Sequence, residues 1–238
     1  ITVEPNDGSA ARAALPEEVL TAWDAGVIDE TWVVAAGLGN VIPDYKLVLQ
    51  KGLKDVIERA KAARAALDLK EPGNVKKSFF LDGVVRGNEA VVAFANRIAD
   101  ECERQAAVCE LESRKQELTE LAGICRRVPY EPARTFHEAV QSIYFILLAV
   151  HLESNGHAIS LGRFDQYVYP YYQKDVAEGR LTPEKALEIV ECFFIKCNEL
   201  NKLRSWGDSE FFLGYQMFIN LAVSGQDQFG NDVTNDVS

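Results

Sequence analysis

The sequence is poor in the residues that build metal and redox sites. Its 238 residues include three histidines, five cysteines and one methionine. His137, His151 and His157 are badly spaced for zinc, and neither an HExxH run nor a paired CxxC occurs, so no metal site is expected. Cys102, Cys109, Cys125, Cys192 and Cys197 are odd in number and all fall in helical patterns, which reads as reduced thiols rather than a disulfide framework. Positive charge is also scarce: 25 Lys and Arg stand against 36 Asp and Glu, a net charge of -11. Phosphate binding needs clustered basic residues, so nucleic acid is not expected as a partner, and adsorption to anionic membranes is disfavoured. The longest apolar run, residues 143–150, falls far short of the ~20 residues that span a bilayer. The first residues, ITVEPNDGSAARAAL, lack the basic-then-apolar order of a signal peptide. No membrane segment and a cytoplasmic location are therefore expected. There is no GxSxG elbow and no phosphate-binding loop, and Gly37-Leu38-Gly39 lacks the third glycine of a dinucleotide fingerprint.

What is present is helical pattern. Hydrophobic residues make up 47% and charged residues 26%, the balance of a globular chain that buries a substantial core. Pro16-Glu17-Glu18 opens a short helix through Trp23, with acidic residues at the end the helix dipole favours. Beyond Pro43, a strict i, i+3, i+4 rhythm from Tyr45 through Val48, Leu49, Leu53, Val56, Ile57 and Ala60 predicts a long amphipathic helix to about Leu67. Gly52 lies on its apolar stripe, which predicts that another element packs closely there. Pro72-Gly73-Asn74 marks a break, followed by a second long helix with Val91, Val92, Ala95, Ile98, Ala99 and Cys102 on one face. The charged run 110–115 reads as a solvated face or turn, and a helix over 117–127 is stopped by Pro129 and Pro132.

Thr135 and Glu138 have the spacing of a capping box. The helix they open, 136–151, is apolar around most of its circumference and so predicted to be buried on several sides. Thr182-Pro183-Glu184 starts another helix, with Leu187, Val190, Phe194, Cys197 and Leu203 read as facing inward. Residues 30–36 are β-prone, and 215–223, closed by Ser224-Gly225, is the best strand pattern in the chain. The fold class expected is mostly α with a few β-strands.

The turn after the buried helix, residues 153–160, crowds polar side chains around Gly156. Loops held by rigid elements commonly bind ligands; alternatively, these residues satisfy the orphan carbonyls of the helix end. His157 has the titration range of a general acid or base, or is a hydrogen-bonded structural histidine. Arg163, Asp165 and Gln166 read as a buried or half-buried polar network, and Tyr167, Tyr169, Tyr171 and Tyr172 as packing, with ligand stacking the alternative.

The runs VPYEPARTFHEAVQS, ESNGHAISLGRFDQYVYPYY and KCNELNKLRS, with GNVIPDYKLVLQKGLKDV and FINLAVSGQ, resemble the glycyl radical enzymes of the pyruvate formate-lyase type. The branch most similar contains glycerol and diol dehydratases, choline trimethylamine-lyase, hydroxyproline dehydratase and arylacetate decarboxylases. The resemblance implies that residues 1–238 are a partial pyruvate formate-lyase-like domain, the helical shell plus one or two strands of a ten-stranded α/β barrel. It implies radical lyase, dehydratase or decarboxylase chemistry on a small-molecule substrate by the intact protein, as a homodimer. No cofactor is expected to be bound; the glycyl radical would be installed by an S-adenosylmethionine-dependent, iron–sulfur activating enzyme.

The family's Gly-Cys-x-Glu loop and its radical-glycine loop are absent from these residues. The chain is therefore expected to be an internal piece with no catalytic residue, inert alone. Trp32, Asn40, His157, Ala158 and Ser160 match substrate-pocket positions. Asn40 stands where glycerol-type enzymes carry a substrate-contacting His, and Ala158 where they carry a Ser. With Trp32, these changes suit a less polar or bulkier substrate such as an arylacetate. The competing reading is a helical scaffold or interaction protein derived from the family. An internal piece would also expose apolar helix faces and tend to self-associate.

Overall fold

The computed structural model describes residues 16–25, 39–154, 158–200 and 217–238. The described residues form seven α-helices: α1 (Glu17–Asp24), α2 (Tyr45–Ala65), α3 (Pro72–Val108), α4 (Glu112–Arg127), α5 (Phe136–Ser154), α6 (Phe164–Ala177) and α7 (Pro183–Asn198). None of the described helices is long and apolar enough to cross a membrane.

α5 is the axis of the packing because it is apolar on more than one side. Phe136, Ala139, Val140, Ile143, Ile146 and Leu147 join a core with α2, α6 and α7. Phe145, on another face, enters a second core of small side chains from α3 and α4, namely Ala95, Ala99, Cys102, Ala106, Leu118, Ala122 and Cys125. The capping at its start is half of what Thr135 and Glu138 predict. Thr135 Oγ1 accepts from Glu138 N at 3.2 Å. Glu138 does not reach back to Thr135; its carboxylate accepts from Arg134 N at 2.7 Å and from the Arg134 guanidinium at 2.8 Å. The Phe136 N–H is instead satisfied by the buried Asp175 carboxylate of α6, at 2.7 Å.

The close approach expected at Gly52 is present, and it breaks the helix. Gly52 has φ +71 inside α2, and a Cβ there would lie 2.1 Å from Tyr130 O. The backbone groups freed by the kink are taken up by the crossing segment. Leu53 N and Lys54 N donate to Pro129 O and Tyr130 O at 2.8 and 3.0 Å, and Leu49 O accepts from Ala133 N at 3.0 Å. Tyr171 Oη also donates to Leu49 O, at 3.1 Å. Three of the backbone groups at the kink, Leu49 O, Leu53 N and Lys54 N, are thereby satisfied.

Three boundaries differ from expectation. Pro72 is the first turn of α3 rather than part of a preceding break, in keeping with proline at a helix start. α4 begins at Glu112, inside the charged run. α5 runs past His151 to Ser154. In α7 the inward stripe is Ala186, Ile189, Phe193 and Cys197, while Leu187 and Phe194 are 58% and 41% exposed. Both stripes have helical spacing. Aromatic packing selects between them, since Phe193 stacks on Phe164 at 5.3 Å and meets Tyr144 edge-on at 6.4 Å. Leu203 lies outside the described residues.

The expected strands are not borne out among the described residues. Residues 217–223 form no strand, only an isolated parallel bridge between Gly162 and Leu221. The physical reason is Phe218, whose φ of +55 interrupts the extended backbone that a ladder requires. The β-prone stretch 30–36 lies outside the described residues, as do positions 215 and 216.

Candidate functional site

Three segments cross one another: residues 39–42, 158–162 and 217–224. They are joined by one backbone hydrogen bond between the first and second segments and by three between the second and third. Ser160 N donates to Val41 O at 2.9 Å, Ala158 N to Met217 O at 2.7 Å, Leu161 N to Asn220 O at 2.8 Å, and Ala222 N to Gly162 O at 2.8 Å. A parallel bridge pairs Val41 with Ile159. The crossing therefore places Asn40, Ala158 and Ser160 in one corner of the molecule, although they are far apart in sequence.

The corner is conformationally unusual. Asn40, Ala158, Phe218 and Ser224 all have positive φ, at 58, 57, 55 and 60. Asparagine tolerates that region; alanine and phenylalanine do so at a cost of about 1–2 kcal/mol each. Strain of this kind persists where surrounding contacts over-determine the backbone, and here Val41, Ala158 and Met217 are each tied by a backbone hydrogen bond across the crossing. Ala158 is buried and Asn40 exposed. Ser160 Oγ lies 3.5 Å from Ala158 O, to which it donates, and 3.4 Å from Asn220 N, from which it accepts. Trp32 and His157 lie outside the described residues.

Next to Ser160, Leu161 lines an apolar cleft of about 290 Å³ with Phe194, Cys197, Ile219 and Leu221. Among the described residues no charged side chain lines it. Burial pushes the Cys197 thiol up to about 12, so it is a protonated apolar wall group rather than a thiolate nucleophile. Behind it, Tyr45 and Tyr167 stack at 5.8 Å, and burial raises both phenols above their ordinary value. The Tyr167 hydroxyl donates to Leu161 O at 2.8 Å, which fixes the cleft's rim. Sequence reading did not identify this cleft, because its lining comes from three separate segments; the only local signal was the apolar alternation of Phe194 and Cys197 in α7.

Arg163, Asp165 and Gln166 form a polar network, with Asp165 buried and Gln166 half-buried as expected, while Arg163 is exposed. Asp165 is fully buried. Its Oδ2 accepts from Ser224 N at 2.7 Å, Ser238 Oγ at 2.6 Å and Gln166 Nε2 at 2.9 Å. Burial favours its neutral form, but the hydrogen bonds from Ser238, Ser224 and Gln166 outweigh burial and hold the carboxyl below its ordinary value. Arg163 donates to Gln226 O and Ser224 O at 2.9 and 2.8 Å. Together they staple residues 224–238 to the start of α6. The tyrosines of α6 serve as packing: Tyr169 stacks on Tyr172 at 6.2 Å, and Tyr172 meets Phe136 edge-on at 5.9 Å. Among the described residues no group of three His, Cys, Asp or Glu side chains is placed to hold a metal ion.

The family described as pyruvate formate lyase-like matches residues 7–238. The isethionate sulfite-lyase of Nitratidesulfovibrio vulgaris is 39% identical over 200 residues, covering 83% of this chain and 24% of that protein. Among solved structures, a protein of 1,2-propanediol dehydration in Roseburia inulinivorans superposes with a TM-score of 0.91 at 38% identity, over 97% of this chain and 29% of that one. The glycerol-bound B12-independent glycerol dehydratase of Clostridium butyricum gives 0.90 at 37% identity, again over 97% and 29%. The 238 residues thus span about a quarter of the length of these relatives. A match along nearly the whole chain, in both sequence and fold, places it in the pyruvate formate lyase-like family.

Proposed function

We propose that this chain is a segment of a glycyl radical enzyme, a carbon–carbon or carbon–heteroatom lyase, dehydratase or decarboxylase that acts on a small organic substrate. The observation that carries the reading is the superposition at TM-score 0.91 over 97% of the chain on a protein of 1,2-propanediol dehydration. The sulfite-lyase and the glycerol dehydratase among its relatives support the same chemistry class. In this reading the 238 residues supply scaffold and one wall of the pocket, not the reacting groups. The sequence holds no Gly-Cys-x-Glu loop, and Cys102, Cys125 and Cys197 are buried in helices with thiols raised by burial.

Within the wall, Asn40, Ala158 and Ser160 meet at the strained crossing, and we assign Trp32 and His157 to the same pocket. Replacing a His by Asn40 and a Ser by Ala158 removes groups that would bond substrate hydroxyls, which favours a less polar or bulkier substrate. The radical would be installed by an S-adenosylmethionine-dependent, iron–sulfur partner, in the cytoplasm, on a homodimer.

The test is electron paramagnetic resonance on the intact gene product after anaerobic activation. A glycine-centred doublet is expected from the intact protein and none from the 238-residue chain alone. An intact protein that carries no radical-glycine loop and gives no doublet would sink the enzyme reading. Glycerol bound against Asn40 in the intact protein would sink the substrate reading while leaving the enzyme reading in place.

A further inference from the structure

The N-terminal half of α3 carries a face that nothing in the described structure explains. Phe79 and Phe80 are 70% and 71% exposed, and no other phenylalanine of the described helices is as open to solvent. Beside them, Gly83 and Gly87 sit in the helix interior with nothing within 4 Å of where a Cβ would be. A glycine in a helix interior is destabilising relative to alanine and is retained where another backbone approaches. No described element makes that approach. Lys76, Arg86 and Ala90 are exposed on the same helix, and among the described residues neither cation has a hydrogen-bond or ion-pair partner.

At about 100° per residue, positions 76, 79, 80, 83, 86, 87 and 90 all fall within roughly 60° of the direction of Gly83. They form one continuous stripe, with Phe80 and Gly87 to one side of its midline and Phe79 and Arg86 to the other. Its order is self-complementary. A second α3 can run antiparallel across it on a twofold axis at Gly83. That operation reverses height along the helix and keeps each residue on its own side of the midline. Phe80 then meets Gly87 of the other copy, and Phe79 meets Arg86, as a ring and a guanidinium that attract. At the ends of the stripe Lys76 passes over the small Ala90. Bulk is set against a notch and an unpaired cation against an aromatic face, every match occurring twice. This is the pattern an isologous contact demands. A different protein partner would require no such match of the stripe with its own reversal.

We infer that the α3 face centred on Gly83 is the docking surface for a second copy of this chain, through antiparallel α3–α3 packing. The inference gives a surface to the homodimer of the reading above and does not rest on its radical chemistry. A missing glycine-centred doublet leaves the docking in place, and a monomeric chain leaves the radical reading in place.

Sedimentation equilibrium of the 238-residue chain is expected to show a dimer, and Phe79→Glu with Phe80→Glu a monomer of unchanged helical circular dichroism. Arg86→Gln should weaken the dimer by roughly five- to thirtyfold in dissociation constant, since two ring–guanidinium contacts are lost. Ala90→Glu tests the register. It places a carboxylate opposite Lys76 of the other copy at both ends, so the dimer should tighten by roughly three- to tenfold, and adding Lys76→Gln should remove the gain. Gly83→Leu separates the interface from the fold: helix propensity predicts an unchanged or higher melting temperature, whereas the docking predicts loss of the dimer. A chain still monomeric at about 100 micromolar, where even a weak specific interface is populated, overturns the inference. So does a dimer that survives the phenylalanine double variant or Gly83→Leu, or one that Ala90→Glu fails to tighten.

Discussion

Gly52 and Asp165 each decide a local structure that apolar patterning does not. At Gly52 an added methyl would lie 2.1 Å from the Tyr130 carbonyl oxygen and would sit at φ +71. Neither the crossing backbone nor the φ can yield without breaking the hydrogen bonds from Leu53 and Lys54. Gly52→Ala is therefore expected to cost about 3–5 kcal/mol, visible as a fall of roughly 10 °C in Tm by circular dichroism. A loss below about 1 kcal/mol, the ordinary scale for a surface change, would mean that the two segments are not locked together. Asp165 makes a pH-dependent contribution. Its folded carboxyl titrates below its ordinary value, so its stabilisation is complete above the unfolded pKa of about 3.9 and disappears as pH falls through the folded value. Asp165→Asn should lose about 1–3 kcal/mol at neutral pH. The difference between native and variant Tm should narrow below about pH 4. A difference that is constant down to about pH 2 would contradict the assignment.

The helices show how far patterning reaches. Thr182 caps α7, its Oγ1 accepting from Lys185 N at 3.2 Å, and Thr182→Ala should lower stability by about 1 kcal/mol, with faster amide exchange confined to the first turn of α7. The helix start at Thr182-Pro183-Glu184, the buried α5 and the close approach at Gly52 were legible because each is written in adjacent residues: a proline at a first helical turn, an all-round apolar helix, a glycine on an apolar stripe. The phase of α7 was not legible. Leu187–Val190–Phe194 and Ala186–Ile189–Phe193 are equally helical in spacing, and only the stacking of Phe193 on Phe164 chooses between them. The strand expected over 215–223 failed for a related reason. Its residues have strand propensity, but Phe218 takes a left-handed φ where the segment crosses residues 158–162, so tertiary hydrogen bonds override local preference. The corner where Asn40, Ala158 and Ser160 meet was legible only through the family resemblance. Nothing in their spacing predicts that Val41 pairs with Ile159.

For the molecule as a whole, the division of α5 between two cores sets how the parts are coupled. The larger core carries the aromatic and branched side chains of α2, α5, α6 and α7. The smaller is made chiefly of alanines and cysteines of α3 and α4, with Phe145 as the bulky side chain that α5 inserts into it. Phe145 is buried and meets Phe94 edge-on at 6.2 Å. Small residues let α3 and α4 approach closely but bury little area each, so Phe145 is the main apolar anchor of this core on α5, beside the Arg127–Glu138 ion pair and the Glu120–His137 contact. The stretch of α3 from Asp82 to Val92 is held separately, through the Lys61–Glu89 and Arg64–Asp82 ion pairs to α2 and the packing of Val85, Val91 and Val92 against the larger core. Phe145→Ala is therefore expected to cost about 3–5 kcal/mol, and to cost it unevenly. In hydrogen exchange followed by mass spectrometry, the amides of α4 and of α3 beyond Val92 should exchange on the order of 100- to 1000-fold faster, since each 1.4 kcal/mol of local opening is worth about a factor of ten. Those of α6 and α7 should change far less. An equal acceleration in all helices would instead show one cooperative unit, in which α5 does not separate two cores but merges them.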